Sequence, residues 1–383
     1  MAEHTVVILG GGTGGLVAAR RLRRLLDPAD RVVLVDRDPV YRFAPSFLWV
    51  MTGVRQPGQV SARRARLRRA GIEVLQAEAR EIDLAGRRVE TSEARIGFDR
   101  LVIALGADLA PGALPGFTGA AHNLYTLDGA AAAGEALRRF AGGRVAVAIS
   151  GLPYKCPAAP YEAAFLTEAL LRHRKAPDAV IDIYTPEPFP MPTAGPVLGQ
   201  ALAGMLAKRG IGFHPGQAIE AIDAQARELV LAGGERAGYD LLLGIPAHRP
   251  PEIAVASGLA GGTGFLLVDP ATLATTAEGV FAIGDVTAIP LAGGKFLPKA
   301  GVFAEAQAKV VARNIAADLA GHKPAATFNG AGACFVELGD QRAAFATGNF
   351  YAPGGPQIRL RRPGPHWHLA KVAFEGYWLR RWA

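Results

Sequence analysis

Two segments of the chain share one order of apolar and polar positions. In each, a short run of small and β-branched residues leads into a turn and then into a longer stretch that predicts a helix. The runs are Thr5-Val-Val-Ile-Leu9 and Arg144-Val-Ala-Val-Ala-Ile-Ser150. Short, wholly apolar runs are typical of strands in a parallel sheet that is covered on both faces. The pattern therefore predicts an α/β fold with two Rossmann-like domains.

The turn of the first segment is rich in glycine. Gly10, Gly12 and Gly15 fit the pattern GxGxxG, and the next strand ends in the acidic residue Asp36. The first glycine permits a tight turn, the second lets the backbone approach a pyrophosphate, and the third allows close packing of helix on strand. The acid stands where a ribose hydroxyl would bind. The predicted dinucleotide-binding residues are Gly10, Gly12, Thr13, Gly14, Gly15 and Asp36.

Two later apolar segments favour FAD over NAD at this turn. Leu101-Val-Ile-Ala-Leu-Gly-Ala107 resembles the strand that closes the first FAD segment in flavoproteins with two dinucleotide domains. Gly279-Val-Phe-Ala-Ile-Gly-Asp285 resembles their late strand, whose aspartate reaches the ribityl chain of the flavin. The alternative for Asp285 is a cap of a turn or helix after the strand. Ala107 and Asp285 are accordingly predicted to bind FAD.

The turn of the second segment lacks the glycine pattern and carries a cysteine instead. It reads Gly151-Leu-Pro-Tyr-Lys-Cys156, and its bulky residues leave no bare backbone for a pyrophosphate, so no NAD site is expected there. Pro157 follows at what we expect to be the first helical position. A helix N-terminus and the neighbouring Lys155 would stabilise a thiolate, so a reactive thiol with a lowered pKa is predicted at Cys156.

The composition excludes several classes of protein. The chain has 383 residues, half of them hydrophobic, and a formal net charge of +8. Its basic residues, such as Arg20, Arg21, Arg23 and Arg24 on one predicted helix face, accompany no nucleic-acid motif, so no nucleic acid is expected as a partner. With two cysteines and no CxxC pair, no metal site is expected. No apolar run predicts a transmembrane helix or a signal peptide, which favours a cytoplasmic location.

Several segments together resemble the sulfide:quinone oxidoreductase family, which is related to flavocytochrome c sulfide dehydrogenases and type II NADH dehydrogenases. The likeness covers almost the whole chain. Its segments are Val7 to Gly15, Tyr41-Arg-Phe-Ala-Pro-Ser46, Cys156 with Pro160-Tyr-Glu162, Pro298-Lys-Ala-Gly301, Cys334-Phe335 with Gly339-Asp340, and His368-Leu-Ala-Lys-Val-Ala-Phe374-Glu. The last two segments are not expected in a type II NADH dehydrogenase.

The resemblance implies that Cys156 and Cys334 form a redox pair that oxidises sulfide. Two electrons would then pass through FAD to a quinone of the membrane. Small residues before Cys334, in Gly330-Ala-Gly-Ala, allow the close approach of something flat or bulky. Glu162 matches a carboxylate that carries protons in the family. An equal alternative is a solvated acid in the first turn of a helix.

The resemblance also assigns residues to the quinone and to the flavin. Phe335 and Phe374 match the aromatic residues on either side of the quinone ring, and Lys371 matches a lysine near it. Lys299 and Gly301 precede a helix whose N-terminus would face the flavin. Lys299 has the alternative of an ordinary surface charge. Arg42 lies in the matching segment near the cofactor.

The same residues leave two other functions open. An NADH:quinone oxidoreductase would use the same scaffold, although the second turn lacks the NAD pattern. A non-catalytic flavoprotein that senses persulfide or redox state would use the same two cysteines. The third cysteine of many family members has no counterpart near 123–128. Because no cysteine lies outside positions 156 and 334, FAD is predicted to bind without a covalent link.

The end of the chain predicts an amphipathic helix rich in aromatic residues. The residues that would share one helical face are Trp367, Ala370, Phe374, Tyr377 and Trp378, with Arg380 and Arg381 close by. Such a helix packs on a core or, with aromatic residues beside arginine, lies on a membrane surface. Peripheral contact with the cytoplasmic membrane is the prediction.

The predicted domain boundaries follow from these segments. An FAD domain is expected at 1–115 and 262–320, and a second Rossmann-like domain without an NAD pattern at 116–261. A redox and quinone segment with the amphipathic helix is expected at 321–383. The sequence leaves the oligomeric state open, and a homo-oligomer is compatible with it.

Overall fold

The computed structural model describes residues 3–176 and 178–382. Apolar, β-branched runs form its strands, and alanine-rich stretches form its longer helices. The elements of the first part of the chain are β1 (Thr5–Leu9), α1 (Thr13–Leu25), β2 (Arg31–Asp36), β3 (Val40–Arg42), α2 (Phe47–Met51), β4 (Ser61–Arg63), β5 (Glu73–Gln76), β6 (Ala79–Asp83), β7 (Arg88–Thr91), β8 (Arg95–Gly97), β9 (Arg100–Ile103), β10 (Asp108–Ala110) and α3 (Phe117–Ala120).

The middle and the end of the chain add a second set of elements. Those of the middle are β11 (His122–Asn123), α4 (Leu127–Arg139), β12 (Gly143–Ile149), α5 (Ala159–His173), β13 (Ala179–Tyr184), α6 (Pro196–Lys208), β14 (Gly212–His214), β15 (Ile219–Asp223), β16 (Glu228–Leu231), β17 (Arg236–Gly238), β18 (Leu241–Ile245), β19 (Ala247–Arg249) and α7 (Glu252–Ala256). Those of the end are β20 (Val280–Ala282), α8 (Gly301–Leu319), β21 (Ala331–Glu337), β22 (Ala343–Asn349), β23 (Gln357–Gly364) and α9 (Pro365–Arg381).

Two parallel five-stranded sheets organise the molecule. The first has the strand order β20-β9-β1-β2-β5, and the second has the order β11-β18-β12-β13-β14. In the first sheet, Val7 lies opposite Val33 and Leu101, and all three side chains are buried because helices and loops cover both faces. β20 joins this sheet from late in the chain, beside β9. The two sheets confirm the predicted α/β fold with two Rossmann-like units.

An antiparallel sheet and the last helix complete the fold. β21, β22 and β23 pair in sequence order, and α9 follows β23 directly. The buried positions of α9 are Lys371, Glu375 and Trp378. Trp382 just beyond it is also buried, against the core of the first unit.

The prediction of one aromatic face on this helix is wrong. Tyr377 is half exposed, whereas Trp378 is buried and its indole Nε1 donates a hydrogen bond of 2.8 Å to the Tyr41 hydroxyl. The charged residues Lys371 and Glu375 lie on the buried side because partners from distant parts of the chain neutralise them. Hydrophobic periodicity alone places such residues outside.

Candidate active site

The glycine turn after β1 has the geometry of a dinucleotide-binding loop. A Cβ atom at Gly15 would lie 1.8 Å from the carbonyl oxygen of Gly10, so only glycine fits at this helix–strand contact. A Cβ atom at Gly12 would meet no atom within 4 Å, which leaves room for a bound group. The Asp36 carboxylate accepts a hydrogen bond of 2.5 Å from the Gly11 backbone N–H. The N-terminus of α1 therefore faces open space that suits a pyrophosphate.

A cavity of about 760 Å³ extends from this turn into the centre of the molecule. Its size and its glycine cradle fit FAD, whose predicted contact residues lie along it. Among the predicted cofactor residues, those that line the cavity are Gly10, Gly12, Thr13, Gly14, Asp36, Arg42, Ala107, Asp285, Lys299 and Gly301. Gly15 lies behind the turn, in the packing role described above. Cys156 and Glu162 also line this cavity, so it connects the cofactor region with the predicted redox chemistry.

A buried lysine lies at the end of this cavity. Lys299 is 8% exposed, so the alternative of an ordinary surface charge is excluded. Its Nζ donates to the backbone oxygens of Asp285 (2.6 Å) and Thr287 (3.2 Å) and lies 3.3 Å from the centroid of the Phe265 ring. Burial lowers the pKa of Lys299 to about 8, although the Asp285 carboxylate opposes the shift. Lys299 is therefore a buried basic group on the wall of the cofactor cavity.

One further residue of the cofactor region, Arg64, lies in no motif and was not predicted. This arginine is buried, and its Nε donates to the Gly11 carbonyl oxygen at 3.1 Å. Its Nη2 lies 3.3 Å from the Asp36 carboxylate, so it fixes the glycine turn and the acid together. Arg42 pairs with Asp38 at the more exposed rim of the cavity.

The turn that carries Cys156 differs from the predicted helix start. α5 begins at Ala159, with Pro160 in its first turn, so Pro157 is not the first helical residue. Cys156 lies before the helix in the left-handed region, at φ +52°. Its N–H donates to the Lys299 carbonyl oxygen at 2.7 Å, and its own carbonyl accepts from the Ala159 N–H at 2.9 Å. The cysteine turn is thereby attached to the segment that holds the buried lysine.

A second cavity, of about 70 Å³, is lined by both cysteines. Its wall is almost wholly apolar and includes Met191, Leu198 and Phe303. Neither thiol is in a disulfide, and both cysteines are only partly exposed. The fold therefore brings Cys156 and Cys334 together from distant parts of the chain, into one apolar chamber beside the cofactor cavity.

The electrostatics of the two thiols contradict the predicted low pKa. Burial raises the pKa of Cys156 to about 12, and the Glu162 carboxylate adds to the shift while Lys371 opposes it. Burial also raises the pKa of Cys334, and the nearby Cys156 and Glu162 raise it further. At Cys156, the loss of water around the sulfur outweighs the opposing effects of Lys371 and of the hydrogen bond with the Ala159 backbone. Free thiols here are protonated at neutral pH.

The residues before Cys334 make the close approach that the sequence predicts. A Cβ atom at Gly332 would lie 2.5 Å from the ring of Phe303 in α8, so β21 packs directly on an aromatic side chain. Side chains of β21 alternate between two surroundings. Cys334 faces the apolar chamber, whereas Phe335 and Glu337 face α9, where Phe335 lies 6.3 Å from Phe374 between ring centroids.

Glu162 is not a solvated acid. It is 4% exposed, and its Oε1 accepts hydrogen bonds from Lys371 Nζ at 2.9 Å and from the Glu337 N–H at 2.8 Å. Burial alone would lower the pKa of Lys371, but the Glu162 and Glu337 carboxylates raise it above its ordinary value. The structure thus brings Glu162, Lys371, Phe335 and Phe374 to one side of the cysteines.

Comparisons with known proteins agree with this geometry. The sequence profile of the family described as pyridine nucleotide-disulphide oxidoreductase matches residues 4–308. The sulfide-quinone reductase of Aquifex aeolicus is 27% identical over 99% of this chain and 91% of its own length. The mitochondrial sulfide:quinone oxidoreductase of Mus musculus is 23% identical over 91% of this chain and 79% of its own.

A solved structure extends the likeness to three dimensions. The X-ray structure of the sulfide:quinone oxidoreductase from Aquifex aeolicus superimposes with a TM-score of 0.88 and 26% sequence identity. The match covers 99% of this chain and 91% of the other. The chain belongs to the pyridine nucleotide-disulphide oxidoreductase family, and it is an FAD-dependent flavin oxidoreductase whose resemblance to sulfide:quinone oxidoreductases is confirmed.

Proposed function

We propose that this enzyme oxidises sulfide to sulfane sulfur or polysulfide and passes the electrons through FAD to a quinone. The single observation that carries the proposal is the position of the two cysteines. Cys156 and Cys334 line one apolar chamber, and Cys156 also lines the cofactor cavity. The names of the relatives, which act on sulfide and a quinone, support the same reaction.

The sulfur chemistry takes place between the two cysteines. Hydrosulfide attacks a disulfide between Cys156 and Cys334, so that one S–S bond breaks, a persulfide forms on one cysteine and a thiolate leaves on the other. Both thiols have a raised pKa, so the leaving thiolate is an unstable, electron-rich species in its apolar surroundings. Transfer of the sulfane sulfur to an acceptor leaves both cysteines reduced, and their reoxidation to the disulfide releases two electrons. FAD, when bound, would accept these two electrons and donate them to the quinone.

Residues around the cofactor cavity are proposed to stabilise charge on the cofactor, to bind the quinone and to hold a proton. Lys299 and Gly301, at the N-terminus of α8, both line the cofactor cavity, so the ammonium group and the helix dipole would stabilise negative charge on the bound cofactor. Phe335, Phe374 and Lys371 are proposed to receive the quinone. Glu162 is proposed to hold and release a proton at its Oε1, which lies 2.9 Å from the Lys371 Nζ.

The competing function, oxidation of NADH, is disfavoured by the second turn. Nine residues, 150–158, separate β12 from α5, where a dinucleotide pattern would start the helix almost at once. The space behind this turn is filled, because Tyr154 is buried and its hydroxyl donates to Glu187 at 2.9 Å. Tyr161 donates to the same carboxylate. Bare backbone for a second pyrophosphate is missing from this turn.

Peripheral membrane contact is part of the proposal, with a surface that differs from the one predicted. α9 exposes Leu369 and Tyr377 on its outer side. An open groove of about 450 Å³ near its end is lined by four arginines, Arg20, Arg66, Arg69 and Arg380. None of the four forms an ion pair within residues 3–176 and 178–382.

Unpaired arginines beside exposed apolar residues fit the phosphate groups of an anionic membrane surface. None of the helices in the described part of the chain combines the length and apolarity needed to span a bilayer.

Stopped-flow mixing under anaerobic conditions tests the proposed function. Sulfide is expected to bleach the oxidised FAD absorbance of the holoenzyme, and NADH is expected to leave it unchanged. Bleaching by NADH together with inertness to sulfide would assign the NADH reaction instead. A single bleaching event without turnover on added quinone would indicate a redox sensor.

A further inference from the structure

A row of buried ionisable groups runs from the cofactor cavity to the surface. It comprises Glu162 on α5, Lys371 on α9, Glu337 on β21 and His368 on α9. Glu162 binds Lys371 and the backbone N–H of Glu337, whereas the Glu337 carboxylate binds His368 and interacts with Lys371 through its charge, without a direct hydrogen bond. The Lys371 Nζ lies 2.9 Å from Glu162 Oε1, and the His368 Nδ1 lies 3.0 Å from Glu337 Oε2. The sequence analysis assigned no role to Glu337 or His368, although Glu337 follows Cys334 by three residues and His368 lies in a matching segment, because the contact between them forms only in the fold.

Burying several ionisable side chains together costs free energy, which indicates that the row has a function. Glu162, Lys371 and Glu337 are 4%, 6% and 1% exposed. Two carboxylates face a single lysine, so the group is neutral only when it holds one further proton. Burial raises the pKa of Glu337, while Lys371 and His368 act in the opposite direction. The charged groups that face Glu337 are thus Lys371 and Glu162 on one side and His368 on the other.

The two ends of the row have different surroundings. Glu162 lines the cofactor cavity together with Cys156. The His368 side chain is 15% exposed and packs edge-on against the Trp49 ring, with centroids 5.8 Å apart. One end therefore meets the reacting groups and the other meets solvent. The two ring nitrogens of an imidazole can accept a proton on one side and donate one on the other.

We propose that His368 and Glu337 carry protons from solvent to the Lys371–Glu162 pair and so to the quinone. The inference rests on the proposed function. Oxidation of HS⁻ to sulfane sulfur releases one proton and two electrons. Reduction of a quinone to a quinol takes up two protons and two electrons. Each turnover therefore consumes one proton from solvent, and this row is the path that delivers it. Glu337 and His368 act through Glu162 and Lys371, so they are relay residues and not catalytic ones.

The test separates the two halves of the reaction. Glu337→Gln and His368→Gln keep size and hydrogen-bonding capacity but do not exchange protons near neutral pH. In stopped-flow measurements, sulfide should bleach the FAD of both holoenzymes within about twofold of the wild-type rate. Reoxidation by a short-chain quinone should slow by roughly tenfold or more, as expected for a lost general acid–base group. The loss should grow as pH rises, because fewer alternative proton donors are available.

Glu375→Gln is the matched control. Glu375 is an equally buried carboxylate on the same helix, but it binds Ser46 and Arg55 and lies outside the row. This variant should reoxidise at the wild-type rate with the wild-type pH profile. Wild-type reoxidation in both relay variants would overturn the proposal, as would equal slowing in Glu375→Gln. Loss of FAD or of thermal stability in both variants would assign them a structural role instead. Failure of sulfide to bleach the wild-type enzyme would instead reject the proposed function itself.

Discussion

At the scale of single residues, the cysteine pair shows how burial reverses an expectation from sequence. A helix N-terminus and Lys155 beside Cys156 predict a stabilised thiolate. In the fold, the helix starts later, at Ala159, and the sulfur faces an internal cavity. Desolvation then raises the pKa of Cys156 to about 12. A sequence shows which charges are near along the chain, but it does not show how much water surrounds a side chain.

The rate at which the two reduced cysteines are alkylated tests whether their pKa is raised. Near pH 8, a thiol with a pKa of about 12 is ionised to roughly one part in ten thousand, whereas an ordinary cysteine is substantially ionised. Iodoacetamide should therefore label Cys156 and Cys334 in the folded, reduced protein at least about 100-fold more slowly than after denaturation. Because the thiolate is the reacting form, the rate should rise steadily with pH up to the limit of folding. Mass spectrometry of each cysteine peptide provides the measurement, and labelling as fast as in a free thiol would indicate a low pKa.

Some of the other site residues could be predicted from the sequence, and others could not. The GxGxxG turn could be predicted because its glycines are dictated by local contacts, such as the 1.8 Å that a Cβ atom at Gly15 would leave to the Gly10 oxygen. Arg64 could not be predicted, because it contacts Gly11 and Asp36 from a segment that contains no recognisable motif. Glu337 was missed for a different reason: it lies in the Cys334 segment, but the groups that interact with it, Lys371 and His368, lie on a later helix.

At the scale of elements, α9 is the helix whose orientation the sequence misassigned. Its strongest apolar pattern places Tyr377 and Trp378 on one face. The fold instead buries Lys371, Glu375 and Trp378 and exposes Tyr377. Glu162 and Arg55 neutralise the charges of Lys371 and Glu375 from distant parts of the chain, and the Ser46 hydroxyl donates a hydrogen bond to Glu375. The two parallel sheets were predictable because their strands are buried on both faces and need no distant partner to explain their composition.

Two neighbouring substitutions on α9 test its orientation. Trp378→Ala removes a fully buried ring and its hydrogen bond to Tyr41, and should lower the free energy of unfolding by about 3–5 kcal/mol. Tyr377→Ala changes a half-exposed residue and should cost no more than about 0.5 kcal/mol. Thermal or urea unfolding of both variants gives the comparison. Equal destabilisation by the two, or a larger effect at Tyr377, would contradict the described orientation.

At the scale of the whole molecule, the basic charge is unevenly distributed. Many arginines pair with carboxylates, as Arg138 and Arg139 do with Glu135. The groove formed by Arg20, Arg66, Arg69 and Arg380 has no such partners in the described part of the chain. We expect this groove and the outer side of α9 to face an anionic membrane.

Sedimentation with vesicles tests this surface. The wild-type enzyme should bind vesicles of phosphatidylcholine with phosphatidylglycerol and should bind pure phosphatidylcholine much more weakly, with the difference falling as salt rises. The combined variant Arg66→Gln, Arg69→Gln and Arg380→Gln should lose most of this binding. Arg138→Gln with Arg139→Gln is the control, because it removes arginines that are already paired. Equal binding by the groove variant and the control would exclude the groove as the docking surface.

The central claim is that Cys156 and Cys334 oxidise sulfide as a pair for a quinone acceptor. The most direct measurement is anaerobic steady-state turnover of the holoenzyme with sulfide and a short-chain quinone, in which sulfide, quinol and sulfane sulfur are all quantified. We expect equal amounts of sulfide consumed and quinol formed, recovery of the sulfur as sulfane sulfur, and near-complete loss of turnover in Cys156→Ser and in Cys334→Ser with FAD still bound. Wild-type turnover in either serine variant, or a wild-type enzyme that retains FAD but does not oxidise sulfide, would contradict it.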